Sequence, residues 1–257
     1  MLFRSAEDSK GHCFLNKDDL KKKVVSLLSK HSPEYKEKFK EKFEESISYC
    51  EKDGHIFVEN DRVYKKKTYI EELFCAREIK RRLFDKVDIP NIKNLDKEID
   101  LLKKKGTYNK EQIQGVKNGL SNKISVITGG AGTGKTTIIK EIIRIARKSK
   151  VDVVLCAPTG KAAMRIKEAC NHSASTIHRV NPCPYKIEDY QNELYGKSSI
   201  NKEDTFDELD MITDSIVVID EWSMVGIHLA ARAFLTFKDA SSIIFVGDPN
   251  QLASIEP

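Results

Sequence analysis

The chain has 257 residues, 40% of them hydrophobic and 32% charged, with a formal net charge of +5 at neutral pH. That length suits one large or two modest domains with a real core, and no apolar run approaches the ~20 residues of a transmembrane helix. The start MLFRSAEDSK lacks the layout of a secretory signal, and Cys13, Cys50, Cys75, Cys156, Cys170 and Cys183 form no C-x-x-C pair, so a cytoplasmic chain with reduced thiols is expected rather than a disulfide scaffold or patterned metal site.

Residues 1–110 carry 27 lysines and arginines against 21 acids, whereas the rest carry 17 against 18. A basic front half fits a polyanionic partner, and a lysine-rich solvated surface fits it too.

In chain order, KDDLKKKVVSLLSK (17–30) reads as an amphipathic helix, closed where Ser32-Pro33 pushes the backbone out of the helical region. Between Glu34 and Cys50, the residues Tyr35, Phe39, Phe43, Ile47 and Cys50 recur every three or four positions and predict a second helix. HIFVEN and RVYKKK flank Asn60-Asp61, which predicts a β-hairpin. Two helices and a hairpin predict a small α+β, winged-helix-like module; DNA contact and simple packing both remain open for it. A helix from about Thr68 to Lys86 should bury Leu73, Ile79 and Leu83, and Ile92, Leu95, Ile99 and Leu102 predict another. The expected division is an N-terminal module over 1–90 and a nucleotide-binding domain over 91–257.

From Tyr108 onward the pattern is α/β. Strand-like runs at 124–128, 151–157, 215–219 and 242–246 alternate with helical segments, which predicts a parallel sheet covered by helices on both faces. Residues 181–210, with two prolines and many polar groups, are expected to form an irregular surface excursion.

The chemistry centres on ISVITGGAGTGKTT (124–137). A β-branched run, a loop of the form Gly-x4-Gly-Lys-Thr and a helical segment are the strand, phosphate loop and helix of a P-loop NTPase. Gly129, Gly130, Gly132 and Gly134 let the backbone curl, and with Ala131 and Thr133 they aim N–H groups inward as a nest for phosphates. The helix that starts there adds its positive end. Lys135 supplies a charge to the β- and γ-phosphates, Thr136 a hydroxyl to magnesium, and Thr137 follows in the first turn. ATP and Mg2+ are therefore the expected cofactors.

The run SIVVI ends in Asp220-Glu221, two acids delivered to the strand's C-terminal edge, where ligands of open α/β sheets collect. Asp220 would hold magnesium through water, and Glu221 would orient and deprotonate the attacking water. SIIFV ends in Gly247-Asp248-Pro249-Asn250-Gln251; Gln251 could sense the γ-phosphate, although such a turn would use these residues without catalysis.

Taken in order, GGAGTGKTT (129–137), APTGKAAMRI (157–166), STIHR (175–179), VIDEWSMV (218–225) and VGDPNQLASIEP (246–257) resemble the first motor domain of RecD-like superfamily 1 DNA helicases. The resemblance implies a RecA-like fold and ATP-driven movement on single-stranded DNA, 5′ to 3′. It implies that Gln112, in YNKEQ, reads adenine, that Lys135, Glu221 and Gln251 are catalytic, and that Pro158, Thr159, Gly160, Lys161, His178 and Arg179 lie along the strand. Lys161 as a solvated helix residue and His178 as a buried, hydrogen-bonded histidine are the plainer alternatives. Trp222 stands where the family carries a small residue, and either base stacking or packing would account for it.

The family's later motifs, second motor domain and arginine finger follow its third motif, so a longer protein is expected, with the chain by itself turning over ATP poorly and not unwinding duplex. Other readings of the same residues are a nucleotide-regulated binding module without turnover, a relaxase- or transposon-linked helicase domain, and an ATPase acting on RNA.

Overall fold

The computed structural model describes residues 12–84, 89–180, 187–194 and 212–251. The chain divides into two compact units, with residues 12–74 and 226–228 in the first and residues 75–225 and 229–251 in the second. The division falls inside a helix, upstream of the residue-90 boundary expected from the sequence.

In the first unit, β1 (Phe14–Asn16) is followed by α1 (Lys17–His31), a 3-10 turn (Pro33–Tyr35), α2 (Lys36–Glu41), α3 (Phe43–Lys52), β2 (Ile56–Glu59) and β3 (Arg62–Lys65). The three strands form an antiparallel sheet in the order β1-β3-β2. Asn60 and Asp61 both adopt positive φ, 46° and 64°, the geometry that lets a two-residue turn match the twist of its strands. The hairpin and α+β character follow the sequence; β1, only three residues long, carries no alternation to signal it. Leu15, Leu20, Phe43, Ile47, Ile56 and Val63 make the core.

The helix expected from Glu34 to Cys50 is broken at Lys42, which has φ −81° and ψ −3°. Neither the 3-10 turn nor α2 buries a residue, and the apolar face joins the core through Phe43 and Ile47, with Cys50 packed against it.

Helix α4 (Lys66–Phe84) follows, and its expected inner face is wrong. Leu73, Ile79 and Leu83 are exposed, whereas Thr68, Ile70, Glu71, Phe74, Cys75, Glu78 and Arg82 are buried. Charged residues take the inner face because each finds a partner. Glu71 meets His228 and lies near Lys67, Glu78 pairs with Arg81 at 2.8 Å, and Arg82 donates to the Phe237, Lys238 and Ala240 carbonyls. Paired charges can be buried where unpaired ones cannot.

The second unit contains α5 (Leu95–Lys105), α6 (Lys110–Ser121), β4 (Ile124–Thr128), α7 (Lys135–Lys148), β5 (Val153–Ala157), α8 (Gly160–Cys170), β6 (Ala174–Thr176), α9 (Ile177–Val180), α10 (Ile187–Leu194), β7 (Ile216–Ile219), a 3-10 turn (Trp222–Met224), α11 (Ile227–Thr236) from Leu229 onward, and β8 (Ser242–Gly247). The sheet is wholly parallel in the order β4-β8-β7-β5-β6. Parallel pairing brings the C-terminal ends of all five strands to one edge. Strands β7 and β8 are buried along their length, as expected for strands covered on both faces. Strand β6, three residues long, is an addition to the four strand-like runs.

Ile138, Ile139, Ile142 and Ile145 of α7 pack with Val116 and Leu120 of α6, Val218 of β7 and Ile244 of β8 in one core. A Cβ on Gly119 would come within 2.9 Å of both Ile142 and Ile244, so α6 approaches this closely only because that position has no side chain. Within the expected excursion, Ile187–Leu194 is helical and Tyr190 is 3% exposed; a side chain this deep corrects the expectation of a wholly irregular surface segment. The remainder of 181–210 lies outside the described residues, as do the last residues of the 246–257 block.

Candidate nucleotide and nucleic-acid site

The phosphate loop leaves β4 and enters α7 through backbone that its glycines make accessible. Gly132 and Gly134 have φ of 75° and 94°. The Gly129 N–H is tied to the Gly247 carbonyl of β8 at 3.3 Å, and Thr133 Oγ1 donates to the Gly130 carbonyl at 2.9 Å. Lys135, the first residue of α7, folds its ammonium back onto the Gly129 and Gly130 carbonyls at 2.5 and 2.9 Å. The charge therefore hangs over the cradle of loop N–H groups.

Gln112 sits on this loop. It closes a capping box with Asn109 at the start of α6 and donates from Nε2 to the Thr133 carbonyl at 3.0 Å. A residue singled out for the base is thus also a brace for the phosphate cradle.

A cavity of about 350 Å3 is lined by Gly130 to Thr136, Arg165, Ile166, Ala169, Asp220, Glu221 and Gln251. The cavity joins the loop, the acid pair and the glutamine, which are far apart in sequence. Gly129 and Thr137 are not on its wall. Burial holds the Asp220 carboxyl above the usual carboxylate range; the Glu221 charge pushes the same way, while the Glu221 backbone N–H, Lys135 and Arg165 oppose them. Glu221 itself adopts left-handed backbone, φ 55° and ψ 39°, an uncommon conformation for a non-glycine residue and one that collects at functional sites.

Two residues of this site escaped the sequence reading. Asp248, 5% exposed, accepts from the Asn250 N–H at 3.0 Å and the Gln251 amide at 3.4 Å, so it aims Gln251. Arg165 of α8 lines the cavity with Nη1 3.9 Å from Glu221 Oε1. An acid in a turn and a basic residue on an exposed helix face give no sequence signal apart from their neighbours in space.

The donor set fits a magnesium-bound triphosphate. Lysine and loop N–H groups match phosphate oxygens, and a hydroxyl and carboxylates are the hard oxygen donors that magnesium takes. Thr136 and Asp220, a hydroxyl and a carboxylate of that kind, both line the cavity.

The other candidates gather one strand further out. Ala157 of β5 pairs with Thr176 of β6, so Pro158, Thr159, Gly160 and Lys161 leave the sheet beside Ile177, His178 and Arg179. None of the six named DNA candidates lines the nucleotide cavity. Thr159 caps α8, its Oγ1 accepting from Ala162 N at 3.2 Å. His178 and Arg179 are exposed, which corrects the buried-histidine alternative. Trp222 packs on Phe245 with ring centroids 4.2 Å apart, so packing accounts for it.

A family model described as an AAA domain matches residues 112–257. The RecBCD enzyme subunit RecD of Mycolicibacterium smegmatis is 30% identical over 170 residues, covering 57% of this chain and 28% of that protein. The ATP-dependent RecD2 DNA helicase of Deinococcus radiodurans is 31% identical over 135 residues, 52% of this chain and 17% of that protein. A crystal structure of Pif1 helicase from Candida albicans aligns over 57% of this chain and 34% of that one, with 26% identity and a TM-score of 0.42. The chain spans less than a third of the length of either curated relative.

Proposed function

This chain belongs to the AAA-domain family, and we propose that it is the ATP-binding motor region of a RecD-like superfamily 1 DNA helicase, coupling ATP hydrolysis to 5′-to-3′ movement along single-stranded DNA in the cytoplasm. The observation that carries the reading is the cavity in which Lys135, Thr136, Asp220, Glu221 and Gln251 meet. It opens at the same sheet edge that carries Pro158–Lys161 and His178–Arg179.

The loop N–H groups and Lys135 bind the β- and γ-phosphates, with the ammonium exchanging its loop carbonyls for phosphate oxygens. Thr136 and, through water, Asp220 would hold magnesium, which would neutralise phosphate charge. Glu221 orients water and accepts its proton. Gln251, aimed by Asp248, contacts the γ-phosphate and transmits its presence. Gln112 reads adenine while bracing the loop. Along the strand track, the Thr159 hydroxyl already accepts from Ala162 N and keeps its proton free to donate to a phosphate. Lys161 and Arg179 add charge, and His178 a ring beside them.

The test is binding of a fluorescent ATP analogue with Mg2+, and of single-stranded DNA and RNA oligonucleotides, by the wild type and Lys135→Ala, with turnover measured alongside. The expected result is Mg2+-dependent nucleotide binding that Lys135→Ala weakens by roughly tenfold or more, together with DNA binding sensitive to Lys161→Ala. Nucleotide binding unaffected by Lys135→Ala, or a response to RNA alone, would overturn the reading.

A further inference from the structure

The charges on the nucleotide cavity do not balance around Lys135 alone. Its described wall carries two acids, Asp220 and Glu221, and two cations, Lys135 and Arg165. A triphosphate remains a net anion with magnesium bound. Against Lys135 and two carboxylates it would meet a wall of its own sign; Arg165 makes that wall neutral.

Arg165 is placed and held as such a role requires. Its neighbours in α8, Ala163 and Ile166, are buried, which fixes the helix, and Ile166 and Ala169 line the same cavity. The Arg165 side chain is 84% exposed and reaches Glu221 at 3.9 Å, too long for a hydrogen bond. An exposed pair of this kind adds little to stability. Its five N–H donors therefore stay available at the cavity mouth, in the fork geometry that suits phosphate oxygens. Lys135 is the contrasting case, its ammonium already hydrogen-bonded to two loop carbonyls that it gives up on meeting phosphate.

We propose that Arg165 is the second cation of the triphosphate site, engaging the γ-phosphate from α8 and giving the cavity a preference for ATP over ADP. The inference rests on the nucleotide-binding reading above. Turning toward phosphate, the guanidinium leaves Glu221, which is then free to orient water. Arg165 thus both binds the terminal phosphate and releases the glutamate when that phosphate is present.

The wild type, Arg165→Gln and Arg165→Lys are titrated with Mg2+-ADP and with a non-hydrolysable ATP analogue plus Mg2+. The expected result is a loss of about tenfold in analogue affinity for Arg165→Gln, little change for ADP, and partial recovery in Arg165→Lys. Equal losses for both nucleotides would mark a general field effect and overturn the proposal, as would no loss for either. Both outcomes leave the Lys135 reading standing; a wild type that binds neither nucleotide removes the two together. Because the side chain is exposed, both variants should match the wild type in thermal unfolding.

Discussion

Gln112 Nε2 donates to the Thr133 carbonyl at 3.0 Å, so the first turn of α6 is tied to the tip of the phosphate loop. The same side chain accepts from Asn109 N at 3.1 Å to complete the capping box. One amide therefore links helix initiation, loop shape and, in the proposed function, the base.

Replacing it separates these contributions. Gln112→Ala should lose about 1 kcal/mol of stability with the capping box and weaken ATP binding more than stability alone explains. Gln112→Glu keeps the acceptor for Asn109 N but loses the donor to Thr133. It should recover most of the stability and little of the affinity. Thermal unfolding and nucleotide titration, with GTP beside ATP, measure this; equal behaviour of the two variants in both assays would show that the brace has no functional weight.

Gly134 is the tightest point of that arrangement. Its φ of 94° suits glycine, and a Cβ there would run into the Gln112 amide. Gly134→Ala should fold, since the core of the second unit lies elsewhere, yet lose most nucleotide binding because the loop must reshape. Circular dichroism should match the wild type while the ATP titration is flat. Binding within about twofold of wild type would mean that the loop absorbs the strain.

Much of this site was legible because each part is a contiguous block with a strong local rule. The glycine loop needs positive φ and no Cβ, and the acids of 220–221 follow a β-branched run that can only be a strand. What stayed hidden depends on three-dimensional neighbours. Arg165 and Asp248 belong to the site through proximity, which has no local pattern. Hydropathy turned α4 the wrong way because Glu71, Glu78 and Arg82 look like surface residues until their partners are known. The break at Lys42 has a similar origin: Tyr35 and Phe39 continue the helical period without a core to reach.

Arg82 tests that lesson directly. It is 2% exposed and donates to Phe237 O at 2.7 Å and Ala240 O at 3.0 Å, binding carbonyls just past the C-terminus of α11, where cations are favoured. Burial pushes its guanidinium down to about 10, which leaves it charged at neutral pH. Arg82→Ala should cost roughly 3 kcal/mol, since several buried acceptors lose their donor and a cavity forms. Arg82→Lys should recover part of this, and Leu83→Ala, on the exposed side of the same helix, should cost less than about 0.5 kcal/mol. Denaturant midpoints give all three, and a larger loss at Leu83 than at Arg82 would restore the face expected from hydropathy.

Asp220 sets stability against function. Its carboxyl is raised above the ordinary range, chiefly by burial, so the folded state binds a proton more readily than the unfolded chain. The corresponding stability is present below the unfolded pKa and is lost as pH rises through the higher folded value. At neutral pH the charged carboxylate is thus a cost to the free protein. Asp220→Asn removes the charge at similar volume. Without nucleotide at neutral pH it should melt above the wild type, and the gap should narrow as pH is lowered through the raised folded value and the wild-type carboxyl takes up its proton. The same variant should lose the increment in ATP affinity that Mg2+ provides, because the ion loses a charged partner. Melting curves across pH, with and without Mg2+-nucleotide, separate the two effects. A variant that melts below the wild type at neutral pH would show that the carboxylate stabilises the fold instead of burdening it.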